Sequence, residues 1–467
     1  MYSKVTQKMS QLPPGYPTEM LESIRVEFIK SEKTIVVLDD DPTGTQTCYD
    51  VPVLTSWHTA LIVEELAKKP SILFVLTNSR SLGVGEAVEL TLEIGKNVRD
   101  ASAESGREIV VISRSDSTLR GHFPAEVEAI ATALDMNDAV RVLVPAFIEG
   151  GRFTIDDVHY IVENEALVPV SDTPFARDVV FGYRHADLKM WVEEKSGGRV
   201  SASEVVSVSL NDIRVGGPTV VSDKLKACKP GGTCIVNAAS YRDLEVFVMG
   251  ILLAEKSGQK FLYRTSATFV PLRAGLVSGK TFIPGKEDTN SAHGSLVIVG
   301  SFVPKTSSQL SWLISHGTFR TIEVNVLEIL NAESVASRLD GIIHQTNRWL
   351  ASGEHVVIYT SRKLEAGHDS ASSLKINAVV SEFLVRIMKG ISVRPRFIIA
   401  KGGITSSDIA SKGLSAEKAM VLGAVIPGVP VWRMDIKSKF PDILYVVFPG
   451  NVGDDMALAE VFKRLTR

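Results

Sequence analysis

Three short polar clusters in the N-terminal half each follow an apolar run and hold residue types suited to small anionic molecules. The first is Asp39-Asp40-Asp41-Pro42-Thr43-Gly44-Thr45. Three neighbouring carboxylates repel one another, so at least one is expected to serve as a base, as a Mg²⁺ contact, or as a cap on the turn at Pro42-Thr43-Gly44. The second is Thr77-Asn78-Ser79-Arg80-Ser81, where the planar fork of Arg80 can meet a carboxylate or phosphate with two parallel hydrogen bonds. The third, Ser113-Arg114-Ser115-Asp116-Ser117-Thr118-Leu119-Arg120-Gly121-His122, gathers an acid, two arginines and several hydroxyls, too polar a set for packing alone. Asp116, Ser117 and Thr118 suit hydroxyl groups, and Arg114 or Arg120 an anionic one. His122, beside Phe123-Pro124, reads most simply as structural. Val144-Pro145-Ala146-Phe147 and Gly150-Gly151-Arg152 are candidates to close the same pocket.

The C-terminal part repeats one theme, a strand that ends in glycine and opens a helix. It occurs at Val299-Gly300-Ser301, at Lys401-Gly402-Gly403-Ile404-Thr405-Ser406 and at Pro449-Gly450-Asn451-Val452-Gly453-Asp454. Backbone N–H groups at a helix start attract phosphate, and glycine lets a ligand approach the backbone. Such turns use Gly and Ser with no ligand too, so one junction means little. Three of them, with Gly423-Ala424-Val425-Ile426-Pro427-Gly428 as a fourth glycine-rich segment, point to a polyphosphate site.

Other chemistries lose their usual support. Ala274-Gly275-Leu276-Val277-Ser278-Gly279-Lys280-Thr281 starts with alanine where a P-loop needs glycine, and Phe282-Ile283-Pro284-Gly285 cannot open the helix that must follow. No G-x-G-x-x-G follows a strand, and no H-E-x-x-H or G-x-S-x-G is present. The cysteines, Cys48, Cys228 and Cys234, are odd in number and lack C-x-x-C spacing, which argues against a disulfide framework or zinc ribbon and for a reducing, cytoplasmic setting. A net charge of −3 with both signs interspersed gives no reason to expect nucleic acid or a membrane surface as partner. The first residues lack the apolar core of a signal peptide.

The elements that must position these clusters follow from periodicity. Short Val, Ile and Leu runs at 34–38, 71–77, 108–113, 140–144, 233–236, 295–299, 355–359, 396–400 and 443–448 read as strands buried on both faces, with helical periodicity between them. Alternation of this kind predicts an α/β fold of two domains, each with a mostly parallel sheet flanked by helices. The polar, aperiodic stretch 279–294 is the best boundary. It divides the 467 residues into an N-terminal extension at 1–30, a first domain at 31–280 and a second at 281–467.

Taken in order, Asp39-Asp40-Asp41-Pro42-Thr43-Gly44, Asn78-Ser79-Arg80, Ser115-Asp116-Ser117-Thr118-Leu119-Arg120-Gly121, Lys401-Gly402-Gly403-Ile404-Thr405 and Pro449-Gly450-Asn451-Val452-Gly453 resemble the four-carbon acid-sugar kinase family. The resemblance spans roughly residues 34–460. It implies a sugar-acid-binding domain followed by a nucleotide-binding domain, and ATP-dependent phosphorylation of the terminal hydroxyl of a threonate, erythronate or 3-oxo-tetronate type acid. It places substrate contacts on Asp40, Arg80, Asp116, Ser117, Thr118, Leu119 and Arg120. ATP contacts fall on Ser301, Gly402, Gly403, Ile404, Thr405, Gly450 and Asn451. The proton of the attacking hydroxyl would go to Asp40 or Asp41, Mg²⁺ would accompany the ATP, and a homodimer is one candidate assembly. Asp41 and Arg114 stand where many relatives carry other residues. Two further readings stay open: a Mg²⁺-dependent non-kinase enzyme such as a dehydratase, and a sugar-acid-binding module without catalysis.

Overall fold

A computed structural model describes residues 4–285, 291–330, 335–362 and 370–466, so 286–290 of the expected boundary lie outside the described residues. The strands, in chain order, are β1 (Thr34–Asp39), β2 (Val51–Leu54), β3 (Ile72–Leu76), β4 (Ile109–Arg114), β5 (Val140–Val144), β6 (Arg152–Ile155), β7 (Val158–Glu163), β8 (Ala166–Pro169) and β9 (Val206–Val208). They continue as β10 (Thr233–Val236), β11 (Phe261–Thr265), β12 (Leu296–Val299), β13 (Arg320–Val324), β14 (Val356–Thr360), β15 (Ile398–Lys401), β16 (Lys418–Ile426), β17 (Val429–Met434) and β18 (Leu444–Phe448). The chain folds into two compact units, one built from residues 1–40 and 57–278, the other from 41–56 and 279–467.

In the first unit the strands run in the order β3-β1-β4-β11-β5-β10-β9, every pairing parallel. Val36, Val37, Ile72 and Phe74 are inaccessible to solvent, as expected where helices cover both faces. The helix Val84–Ser105 shows why such covers form. Glu86 accepts a hydrogen bond from the Gly83 N–H at its start, Gly106 ends it with φ 65°, and Ala87, Thr91, Ile94, Val98 and Ala101 bury one face. A separate antiparallel sheet β6-β7-β8 lies in the same unit. The N-terminal helices Val5–Ser10 and Leu21–Ser31 are tied in here: the Val5 N–H donates to Glu165 O (3.0 Å), and the Met20 N–H to Glu245 Oε2 (3.1 Å).

The second unit orders its strands β13-β14-β12-β15-β18-β17-β16-β2. The first five are mutually parallel, and β17, β16 and β2 continue antiparallel. Both units therefore carry mostly parallel sheets with flanking helices, as the alternating pattern predicts. Helices Pro304–His316 and Ala457–Thr466 place Leu310, Leu313, Leu458, Val461 and Leu465 on Val297, Phe397, Ile399 and Val446. Each such buried side chain contributes about 1.5–3 kcal/mol over exposure, so the strand ends sit on a firm base. Residues 41–56 join this unit through β2 on β16 and a hydrogen bond from Trp432 Nε1 to Thr45 Oγ1 (3.1 Å). The glycine-rich segment Gly423–Gly428 differs in form from the three strand-to-helix junctions. It is the end of β16 and its hairpin turn into β17, with Gly428 at φ 78°. Among the described residues no helix is long and apolar enough to cross a membrane.

Candidate functional site

Parallel strands bring their carboxyl ends to one edge, and that edge of the first unit collects the polar clusters. Asp39 pairs in register with Leu76 of β3 and Arg114 of β4, and Arg114 with Thr265 of β11. The loops that leave these ends therefore start side by side. Asp40, 3% exposed, accepts from Ser115 Oγ at 2.7 Å and meets Arg80 Nε at 3.2 Å through Oδ2. Its Oδ1 lies 3.5 Å from Arg114 Nη1, which also bonds Asp39 Oδ1 at 3.1 Å. Arg114, a departure from the resembled pattern, is thus the buried counter-ion of the first two aspartates.

Asp116 is the second anchor. Arg120 Nε reaches its Oδ2 at 2.9 Å, Arg80 Nη1 its Oδ1 at 3.6 Å, and the Thr118 hydroxyl donates to it. Burial works to raise the Asp116 carboxyl, but Arg120 and Arg80, with those hydrogen bonds, hold it far below the usual carboxylate range. Arg120 also meets Asp178 at 3.4 Å and lies over the Phe175 ring at 5.0 Å. The connecting loop turns through Leu119, buried and at φ 67°, a left-handed conformation rare for leucine. The carbonyls around it are held too: Tyr183 Oη donates to Thr118 O (2.6 Å), and His159 Nε2 lies 2.8 Å from Ser117 O. The structure thus brings Asp40, Arg80, Asp116, Thr118, Leu119 and Arg120 into one network, with Ser117 in the same loop. His122 is buried with Nε2 3.0 Å from Ser79 O.

Two participants carry no signal in the sequence. Arg264 on β11 is 2% exposed, donates to Arg120 O (2.9 Å) and Ser115 Oγ (3.3 Å), and lies 5.2 Å from the Trp191 ring. Glu126 is buried against the Ser79 hydroxyl, and burial, with Asp40 adding to it, pushes its carboxyl up to about 7. Both sit in ordinary strand or helix segments, and only the fold places them here.

Asp41 belongs to the second unit. Its Oδ1 accepts from the Thr43 N–H (2.8 Å), capping the short helix Pro42–Thr47. A Cβ added at Gly403 would fall 2.2 Å from Asp41 Oδ2, so only glycine admits this approach. Nearby, the ends of β12, β15 and β18 lie side by side. Thr306 Oγ1 bonds Ser301 Oγ (3.2 Å) and Gly450 O (3.0 Å), and Gly402 and Thr405 pack on Ser301 and Gly300. Ser301, Gly402, Gly403, Thr405 and Gly450 are therefore neighbours, Ile404 is half-buried in the same turn, and Asn451 is exposed beside Gly450.

Lys401 closes β15 beneath this edge. It is inaccessible to solvent, donates to Pro449 O (3.0 Å), and lies 3.9 Å from the Phe448 ring centroid. Burial pushes its amine down to about 7. Between that value and the ordinary lysine value of 10.5 the unfolded chain binds a proton that the folded one lacks, so stability rises with pH across this window. Below about 7 the penalty is fully present. Melting curves should therefore show Lys401→Met gaining on wild type as pH falls from 9 to 6; a constant difference would refute the buried neutral amine.

Among the described residues no three His, Cys, Asp or Glu side chains are grouped to hold a metal. Mg²⁺ ordinarily arrives on nucleotide phosphates with few protein ligands.

Two family models match the chain: a sugar-binding N-terminal domain over residues 35–272 and a nucleotide-binding C-terminal domain over residues 296–458. Comparison with curated proteins finds no match. Among solved structures, the Haemophilus influenzae protein HI1011 is similar at TM-score 0.60 and 16% identity, over 92% of this chain and 99% of its own. A Salmonella typhimurium LT2 protein, provisionally described as a tRNA synthase, is similar at TM-score 0.65 and 14% identity, over 93% and 99%. At such identities the likeness is one of fold.

Proposed function

Because the chain belongs to the family that joins a sugar-binding N-terminal domain to a nucleotide-binding C-terminal domain, we propose that it is an ATP-dependent kinase of four-carbon sugar acids. The observation that carries this reading is that each domain holds a site of matching chemistry. In the first, Arg80, Asp116 and Arg120 form a charged network beside the hydroxyls of Ser117 and Thr118. In the second, Ser301, Gly402, Gly403, Thr405 and Gly450 line the carboxyl ends of three parallel strands, where α/β sheets bind ligands.

In this mechanism the terminal hydroxyl oxygen attacks the γ-phosphorus, the bond to the β–γ bridging oxygen breaks, and ADP leaves with that electron pair. Asp40 or Asp41 accepts the hydroxyl proton. Asp116, Ser117 and Thr118 orient the hydroxyls, and the backbone at 402–405 and 450–451 receives the phosphates. Phosphoryl transfer needs such positioning and charge neutralisation more than covalent help. Mg²⁺, when bound, neutralises phosphate charge.

The test is ADP release from ATP·Mg²⁺ with D- and L-threonate, D-erythronate and their 3-oxo forms. Acid-dependent release with one preferred acid is the expected result. ATP binding with no release for any acid would move the search to other sugar acids, and absence of both would end the kinase reading.

A further inference from the structure

We infer that Arg152, at the start of β6, supplies the positive charge that receives the carboxylate of the bound acid. The inference rests on the sugar-acid reading above and asks which cation serves it. The arginines of the network are already matched by the protein's own acids. Arg80 lies between Asp40 and Asp116, Arg114 between Asp39 and Asp40, and Arg120 between Asp116 and Asp178. Arg264 is turned to the Arg120 carbonyl and the Ser115 hydroxyl and stacked near Trp191. Asp39, Asp40, Asp116 and Asp178 balance these four, so an incoming carboxylate would meet no net positive charge from them.

Arg152 differs. Among the described residues no carboxylate lies within 4.0 Å of it. Its Nε is buried with no hydrogen-bond partner, while Nη1 donates to the Gly150 carbonyl and the guanidinium lies 5.7 Å from the Phe147 ring centroid. Its position in the fold places it at the site. Arg152 and Thr154 alternate onto one face of β6, about 7 Å apart. Thr154 Oγ1 bonds His159 Nδ1 (2.9 Å), and the other nitrogen of that ring lies 2.8 Å from the carbonyl of Ser117, next to Asp116. The electrostatic neighbours of Arg152 agree: burial lowers its affinity for its proton, and Asp116 and then Glu163 oppose that without pairing with it. A half-buried guanidinium with no counter-ion and a sealed Nε costs stability unless a ligand anion completes it. A sugar-acid carboxylate fits the planar fork bidentately.

Titration calorimetry of the full chain decides it, with D- and L-threonate, D-erythronate and gluconate as acids, and threitol and erythritol as neutral counterparts. For the acid that wild type binds best, Arg152→Gln should weaken binding about 10- to 100-fold and leave the weak polyol binding unchanged. Arg152→Lys should recover part of the loss. The melting temperature of Arg152→Gln should equal or exceed that of wild type, because a half-buried charge with no counter-ion is gone; a residue needed only for the fold would lower it. Acid binding by Arg152→Gln within about threefold of wild type overturns the inference. So does an equal loss for acids and polyols. Wild type that binds an acid but releases no ADP would end the kinase reading and leave Arg152 decided by the same titrations. Wild type that binds none of the acids would count against both.

Discussion

Asp41→Asn is expected to lower kcat with the preferred acid by about 10²–10⁴-fold while the protein melts at nearly the wild-type temperature. Asparagine caps a helix about as well as aspartate, so the bond from the Thr43 N–H to Oδ1 survives the change. What disappears is a carboxylate able to take a proton. Asp40→Asn should lose turnover too, but with a large loss of stability. Its carboxylate is 3% exposed and meets Arg80, Arg114 and the Ser115 hydroxyl. Neutralising one partner of such a buried group costs about 3–5 kcal/mol. Because Asp40 already serves that buried ion network, the proposed mechanism looks first to Asp41 for the base. The pair of variants separates the roles: lost turnover without lost stability marks the base, and full turnover in Asp41→Asn moves the role to Asp40. Full turnover in both would end the assignment.

The aspartate run also shows how far sequence reasoning reaches. That three adjacent carboxylates need a cap, a cation or a catalytic role to offset them is legible from repulsion alone. That the chain passes from one unit to the other between Asp40 and Asp41 is not, because Pro42 and Gly44 mark a turn there and a turn within a motif looks the same whether or not the chain changes unit. The strands buried on both faces were legible for the same physical reason: runs such as 140–144 and 233–236 lack alternation and match β5 and β10 residue for residue. Strands that break this rule escaped. Arg320–Val324 is largely exposed at a sheet edge, β6 alternates polar and apolar residues, β7 alternates buried and half-buried positions along most of its length, and Phe261–Thr265 carries the buried Arg264 next to its end. At Gly423–Gly428 a hairpin uses glycine for its turn, which composition alone does not tell from a strand-to-helix junction. Within the site, motifs on consecutive residues could be read. Glu126 and Arg264 join the network of the first unit only through tertiary packing, since a buried charge on a strand or helix looks like any other until its neighbours are known.

Gly402→Ala should reduce kcat/KM for the nucleotide by about 10²-fold while acid binding by the N-terminal domain stays intact. Gly402 has φ 116° and ψ 141°, close to a region populated essentially by glycine, where a side chain costs about 1–3 kcal/mol. The added Cβ would sit 3.0 Å from Ser301 Cβ and 3.4 Å from both Ser301 N and Thr405 Oγ1. Relief of that crowding must move Ser301 or Thr405, and Ser301 is bonded to Thr306, which holds the Gly450 carbonyl. One methyl group therefore disturbs three of the junctions assigned to the phosphates at once. Gly341→Ala is the matched control: it lies in the helix Val335–Ala351, nothing stands within 4 Å of its Cβ, and alanine favours a helix by about 0.5–1 kcal/mol. It should leave turnover unchanged and stability equal or higher. Nucleotide titration and acid titration on both variants supply the readout. Lost nucleotide response with intact acid binding in Gly402→Ala assigns the turn to the nucleotide. Equal loss of both in that variant would mean that the substitution acts through the fold, and unchanged turnover would remove the turn from the phosphate site.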